Sequence, residues 1–170
     1  PEENYDCDGE CCTESDIECG YVASPADCAG ECGGSAVVDE CGVCGGDGPV
    51  EGFTCDGTPI EFVYNQSSLQ AYYYIFEVHD LNGYPLTADD WVAAFNGDVC
   101  VGSRQWDTSL CNSGICDVPA MGDDGNEYSD GYLNEGDMPG FKIYDASQGE
   151  YFDVYPYPGN YAFGINEAFN

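Results

Sequence analysis

The sequence predicts an all-β fold: a β-sandwich or jelly-roll-like domain over residues 59–170, preceded by a small, irregular, disulfide-rich arm over residues 1–58. Three observations carry this expectation. Apolar and polar residues alternate over short stretches separated by glycine-rich turns. No long stretch repeats its apolar residues at the 3.6-residue period of a helix. The composition also changes abruptly near Thr58: nine of the 12 cysteines and 15 of the 33 acidic residues precede it, with no lysine or arginine. A segment so poor in large apolar side chains cannot bury enough surface to offset its conformational entropy, so cross-links and bound ions must hold it.

The strand pattern begins with residues 59–64, where Ile60, Phe62 and Tyr64 alternate onto one face. Residues 69–78 are rich in β-formers. Residues 91–95 and 98–102 flank Asn96-Gly97, a dipeptide suited to a two-residue hairpin turn; that register sets Ala94 opposite Val99 and Val92 opposite Val101. Thr87-Ala88-Asp89-Asp90 allows at most one helical turn before this hairpin. Residues 141–144, 151–155 and 161–165 complete a set of about seven strands.

Twelve cysteines with a single histidine, His79, point to disulfides in an oxidising compartment, extracellular or at the cell surface. Only Cys41 and Cys44 form a Cys-x-x-Cys pair, so no zinc is expected. All of Cys7, Cys11, Cys12, Cys19, Cys28, Cys32, Cys41, Cys44, Cys55, Cys100, Cys111 and Cys116 are assigned to disulfides. Nine in one part and three in the other are both odd, so full pairing requires one bond between the parts. Cys111 and Cys116 enclose a short loop and form a natural pair; Cys100 then falls to an arm cysteine, with Cys55 nearest in sequence. The remaining connectivity stays open.

A formal charge of −31, with Arg104 and Lys142 as the only cations, excludes nucleic acid as a partner and argues against anionic membrane surfaces. No run of 18 apolar residues suggests membrane insertion. Divalent cations would relieve the self-repulsion, and acids set among glycines suit calcium, which prefers hard oxygen ligands. Candidate ligands are Asp6, Asp8, Asp27, Asp39 and Asp47 in the arm, and Asp123, Asp124, Asn126, Asp130 and Asp137 in the later domain. The absence of Met at Pro1 and the abrupt end at Asn170 suggest a processed product or a repeat of a longer polypeptide.

Catalytic constellations are poor, and no enzyme is expected. Any Ser-His-Asp or Cys-His arrangement would need His79, and disulfides consume the thiols. Asn65-Gln66-Ser67 fits a glycosylation sequon. Trp91, Trp106 and 14 tyrosines would allow sugar stacking on a sheet face.

Residues 27–34, Asp-Cys-Ala-Gly-Glu-Cys-Gly-Gly, and residues 39–48, Asp-Glu-Cys-Gly-Val-Cys-Gly-Gly-Asp-Gly, form a near repeat. They resemble the cysteine connectors of large secreted bacterial surface proteins and, in style, the calcium-binding aspartate-rich repeats of thrombospondins. Asp90-Trp91-Val92-Ala93-Ala94-Phe95-Asn96-Gly97-Asp98-Val99-Cys100-Val101-Gly102 and the later Phe141-Lys142-Ile143-Tyr144-Asp145-Ala146 resemble a β-sandwich module of the same proteins. The resemblance implies secretion, tandem repetition and no known catalytic activity. The expected role is therefore a structural subunit of an extracellular fibre, stalk or layer, built from copies of itself or sister repeats. The alternative is a carbohydrate-binding or adhesion module with glycan partners.

Overall fold

The computed structural model describes residues 26–157, 159 and 161–169. They divide into two units, one ending at Gly57 and one beginning at Thr58. The second unit is a two-sheet β-sandwich. Its described strands are β1 (Gln70–Ile75), β2 (Trp91–Asn96), β3 (Val99–Gln105), β4 (Cys116–Met121), β5 (Gly140–Asp145), β6 (Glu150–Val154) and β7 (Ala168–Phe169). They form a three-stranded sheet in the order β4-β1-β7 and a four-stranded sheet in the order β3-β2-β5-β6. All pairings are antiparallel except the short β1–β7 pair, where Tyr72 lies beside Ala168 and Tyr73 beside Phe169.

Period-two patterning explains the core. Ala71 and Tyr73 of β1 and Cys116, Val118 and Ala120 of β4 point inward and are buried, while Tyr72, Tyr74, Asp117 and Pro119 between and beside them are not. They meet Val92, Ala94, Val101, Phe141 and Ile143 from the four-stranded sheet. At one corner the two sheets come so close that a Cβ on Gly102 of β3 would lie 1.8 Å from the carbonyl oxygen of Pro119 in β4. Only glycine fits there, and Pro119 is tolerated because β4 is an outer strand.

Strand β2 is buried on both faces, from Val92 to Phe95. Its outer face is covered by the segment predicted as the first strand, which is instead a 3-10 turn at Ile60–Phe62. Pro59 fixes the local backbone, and the Phe62 N–H closes onto the Pro59 carbonyl at 2.8 Å. The turn drives Phe62 into a second apolar cluster with Ala93, Phe95 and Cys100 and leaves Ile60 58% exposed. Phe62 meets Phe95 and Tyr151 edge-on, at centroid distances of 5.8 and 5.3 Å. Lys142 lies over the Phe95 ring at 4.8 Å.

The β2–β3 hairpin forms with its turn one residue later than expected, and Ala94 pairs with Gly102 rather than Val99 and Val92 with Arg104 rather than Val101. Asn96 pairs with Val99, and a bulge follows between Ala94 and Phe95. Gly97 and Asp98 are therefore the central residues, and of the two only Gly97 takes a positive φ (60°), the requirement of a II′ rather than a I′ turn. The Asn96 side chain is drawn off to the carbonyls of Gly131 and Tyr132, at 3.0 and 3.2 Å. Asp90, buried just before β2, accepts hydrogen bonds from the amide and hydroxyl of Thr87 and from the Ala146 amide.

Residues 161–165 are not a strand. Phe163 is buried against Gly122 and exchanges backbone hydrogen bonds with Gly136 and Asp137. The chain then turns at Asn166, which takes a φ of 59°, and the last strand forms at Ala168–Phe169, beyond the expected stretch. Among the described residues no helix is long and apolar enough to cross a membrane.

Candidate functional site

The near repeat in the arm folds as two copies of one tight turn. In each, the aspartate amide donates to the carbonyl four residues ahead, and a glycine amide three residues ahead donates back to the aspartate carbonyl. One carboxylate oxygen of Asp27 accepts the Ala29 and Glu31 amides at 2.9 and 3.0 Å, and the other accepts the Ala36 amide at 3.0 Å. Asp39 does the same with Cys41, Val43 and Gly48, at 2.9, 2.7 and 2.9 Å. Gly30 and Gly42 supply the positive φ values, 83° and 79°, that the turn needs. The second glycine of each Gly-Gly pair supplies space: a Cβ on Gly34 would lie 2.1 Å from an Asp27 carboxylate oxygen, and one on Gly46 would lie 2.2 Å from that of Asp39. The Asp…Gly…Gly-Gly pattern is thus accounted for by backbone geometry and carboxylate–amide bonding.

A third copy sits in the sandwich, and the sequence reading missed it. Asp80 accepts the Asn82 and Tyr84 amides at 2.9 and 2.7 Å, and Gly83 has a φ of 84°. Its flanking bridge, His79 to Pro85, matches Ala26 to Cys32 and Val38 to Cys44 in the arm. The signal was present as Asp-x-x-Gly at residues 80–83. The amides of Ala36, Val43 and Tyr84 hold the carboxylates of Asp27, Asp39 and Asp80, respectively, below the usual range.

Disulfides lock the arm turns. Cys28 bonds Cys44 and Cys41 bonds Cys55, so two loops of similar length overlap; Cys32 is also disulfide-bonded. By chain entropy each loop of this length stabilises by about 3 kcal/mol. No described residue of the arm is buried; Val37 and Val50 are 73% and 72% exposed. In the sandwich, Cys111 bonds Cys116 across their short loop. The expected bond from Cys100 to the arm does not form. Cys100 is a free thiol packed beneath Phe62, and burial pushes its pKa up to about 11. Cys55, its nearest candidate partner, is taken by Cys41.

The structure does not gather the candidate calcium ligands. Asp6, Asp8, Cys7, Cys11, Cys12 and Cys19 lie outside the described residues. Asp27 and Asp39 are each turned onto three amides, and Asp47 is exposed. In the later loop Asp124 accepts from the Ser68 amide and hydroxyl, the Tyr128 hydroxyl, the Asn126 side chain and the Ser129 hydroxyl. The Ser68 amide, ahead of the other donors, holds it far below the usual carboxylate range. Asp123 accepts the Gly125 amide, Asp137 accepts the Asn134 amide, Asp130 is exposed, and Asn126 points its donor at Asp124. Among the described residues no group of three or more His, Cys, Asp or Glu side chains converges on a metal position.

Asn65 is exposed, and its side chain reaches the Tyr128 carbonyl at 3.4 Å. Ser67 of the same sequon is 4% exposed, donating to the Gly122 carbonyl and accepting from the Leu69 amide. Trp106 is 3% exposed in the sandwich core, so it cannot stack a sugar, and Trp91 is half-buried against the outer cluster.

The exposed aromatic surface lies elsewhere. A groove of about 830 Å³ opens between the end of β1 and the chain that follows β6. Its floor includes Tyr73, Val92 and Phe141, and its walls carry Phe76, Tyr155 and Tyr157. The Tyr73 hydroxyl donates to the Tyr161 carbonyl at 3.1 Å, and burial pushes its pKa up to about 12. Tyr161 stacks on Phe169 at 5.5 Å. Phe76, Tyr155 and Tyr157 are 66%, 88% and 97% exposed. Glu77 and His79, 3.1 Å apart, form an ion pair at the lip when the imidazole is protonated. Searches against protein-family models, curated proteins and solved structures found no match to this chain.

Proposed function

We propose that this chain is a structural module of an extracellular or cell-surface assembly, a fibre, stalk or layer, in which the arm sets the spacing and the sandwich provides the body. One observation carries the reading: the arm spends covalent cross-links and carboxylate–amide bonds on a segment that buries no apolar side chain among its described residues. Such a segment gains nothing by itself from stiffness, whereas a connector that fixes a distance does. The disulfides favour an oxidising compartment. A chain at −31 repels its copies, so neighbours join through backbone pairing or covalent links rather than loose apolar contact. Outer strands β3 and β6 of the four-stranded sheet are the candidate edges for such pairing.

Electron microscopy of the native material, isolated under oxidising conditions, tests the proposal. Regularly spaced bodies in fibres or sheets support it. Dispersed single particles, with no higher mass in sedimentation, contradict it.

A further inference from the structure

We propose that the groove between β1 and the segment after β6 binds a neutral polysaccharide chain. This goes beyond the structural role and rests on different residues. The volume, about 830 Å³, falls within the range of built ligand sites, and the floor is buried and apolar. Phe76, Tyr155 and Tyr157 offer largely exposed ring faces around it. An aromatic ring presents an apolar face, and tyrosine adds a hydroxyl at its edge. A sugar ring is complementary, with C–H groups on its faces and hydroxyls around its rim.

Charge selects among the possible occupants. An anionic glycan or a second copy of this chain meets a protein of −31, and the groove offers no arginine or lysine to receive it. Arg104 is paired with Asp117 at 3.1 Å, and Lys142 lies over Phe95 on the outer face of the four-stranded sheet. A cationic peptide is the competing occupant, since the groove carries the carboxylates of Glu77, beside His79, and of Asp153; the oligolysine comparator tests it. A neutral chain crosses the negative field without penalty and uses what the groove presents: ring faces, tyrosine hydroxyls, the Glu77–His79 pair and the Asp153 carboxylate.

The test is calorimetric titration of the whole chain with soluble neutral oligosaccharides: cello-, xylo-, malto- and manno-oligomers. An oligouronate and oligolysine serve as charged comparators. The variants are Tyr155→Ala, Tyr157→Ala and the double change, all at side chains too exposed to affect folding, with Met138→Gln as a control away from the groove. The expected result is saturable binding of at least one neutral oligomer, insensitive to salt. The double variant should weaken it about tenfold or more, equivalent to about 1.4 kcal/mol, and the control should leave it unchanged. The proposal is overturned if no neutral oligomer binds or if binding survives the double variant. It is also overturned if oligolysine alone binds and salt abolishes it. Self-association of the chain that the double variant removes would assign the groove to a neighbouring copy instead.

Discussion

The turn built on Asp39 and the turn built on Asp80 share a backbone, a positive-φ glycine and the same pair of amide–carboxylate bonds. Their surroundings differ. Around Asp39 two overlapping disulfides and a third amide, from Gly48, complete the fixation, with no apolar side chain buried nearby. Near Asp80 the flanking Val78 packs into the sandwich core, and the second carboxylate oxygen has only the Asn82 side chain, at 3.3 Å. The same local motif is therefore principal architecture in one region and an ornament in the other. A turn that closes on its own carboxylate can be placed wherever a chain must reverse; what surrounds it decides how much depends on it.

The largest separation of the two regions should come from reduction. Opening Cys28–Cys44 and Cys41–Cys55 removes about 3 kcal/mol of chain-entropy restraint for each bond, and the arm has no core to fall back on. Elastase digestion followed by mass spectrometry should then cut the arm near Val37, Val38, Val43 and Val50 while the sandwich survives. Cleavage spread equally over both regions would break the comparison.

The converse perturbation is Phe62→Ala. Phe62 is fully buried between Phe95 and Tyr151, and its removal should cost the sandwich about 3–5 kcal/mol in urea unfolding. The amides of Ala36, Val43 and Gly48 in the arm should keep their hydrogen-exchange protection. Gly102→Ala attacks the same unit from the inside, because its Cβ would enter the Pro119 carbonyl.

Acid should act on both units, because the arm carboxylates of Asp27 and Asp39 and the sandwich carboxylates of Asp80, Asp124 and Asp145 are all held below the usual range. Asp27 and Asp39 have folded pKa values below the ordinary 3.8. Their contribution is therefore complete above the unfolded value and is lost as pH falls from about 4 through the lowered folded values. The amide shifts of Ala36 and Val43, followed by NMR, should move in that window, and that of Ser68 only at lower pH, because Asp124 is held furthest below the usual range. The smallest effect should come from Asp80→Asn, which a thermal melt of the sandwich should barely register. Asp39→Asn should visibly loosen the arm, since an amide side chain has one acceptor oxygen where the carboxylate uses both.

Much of the sandwich was legible because strand periodicity reports burial directly: β1 lies within a predicted stretch, and β2, β3, β5 and β6 each overlap one with ends that differ by one to three residues. The misses have local causes. Strand β4 was hidden by Pro119, which demotes a run to non-strand unless the run is at an edge. The hairpin register moved because tertiary carbonyls captured the Asn96 side chain. Residues 59–64 alternate like a strand, but the Pro59–Phe62 turn overrides the alternation to insert one large ring. The aromatic groove was not legible, since Trp91 and Trp106 drew attention while Phe76, Tyr155 and Tyr157 were left exposed by the ends of strands. The backbone role of Asp27 and Asp39 was not legible: a carboxylate near glycines suits a hard cation and a row of N–H donors equally, and spacing alone does not choose.

Residue-resolved amide hydrogen exchange in calcium-free buffer, before and after reduction, tests the two-region account most directly. The amides of Ala36, Val43 and Gly48, which the arm carboxylates accept, should be protected without calcium while the disulfides are intact. Reduction should expose them and leave the amides of β1 and β2 protected. Arm amides that gain protection only when calcium is added, or a sandwich that loses protection together with the arm, would contradict it.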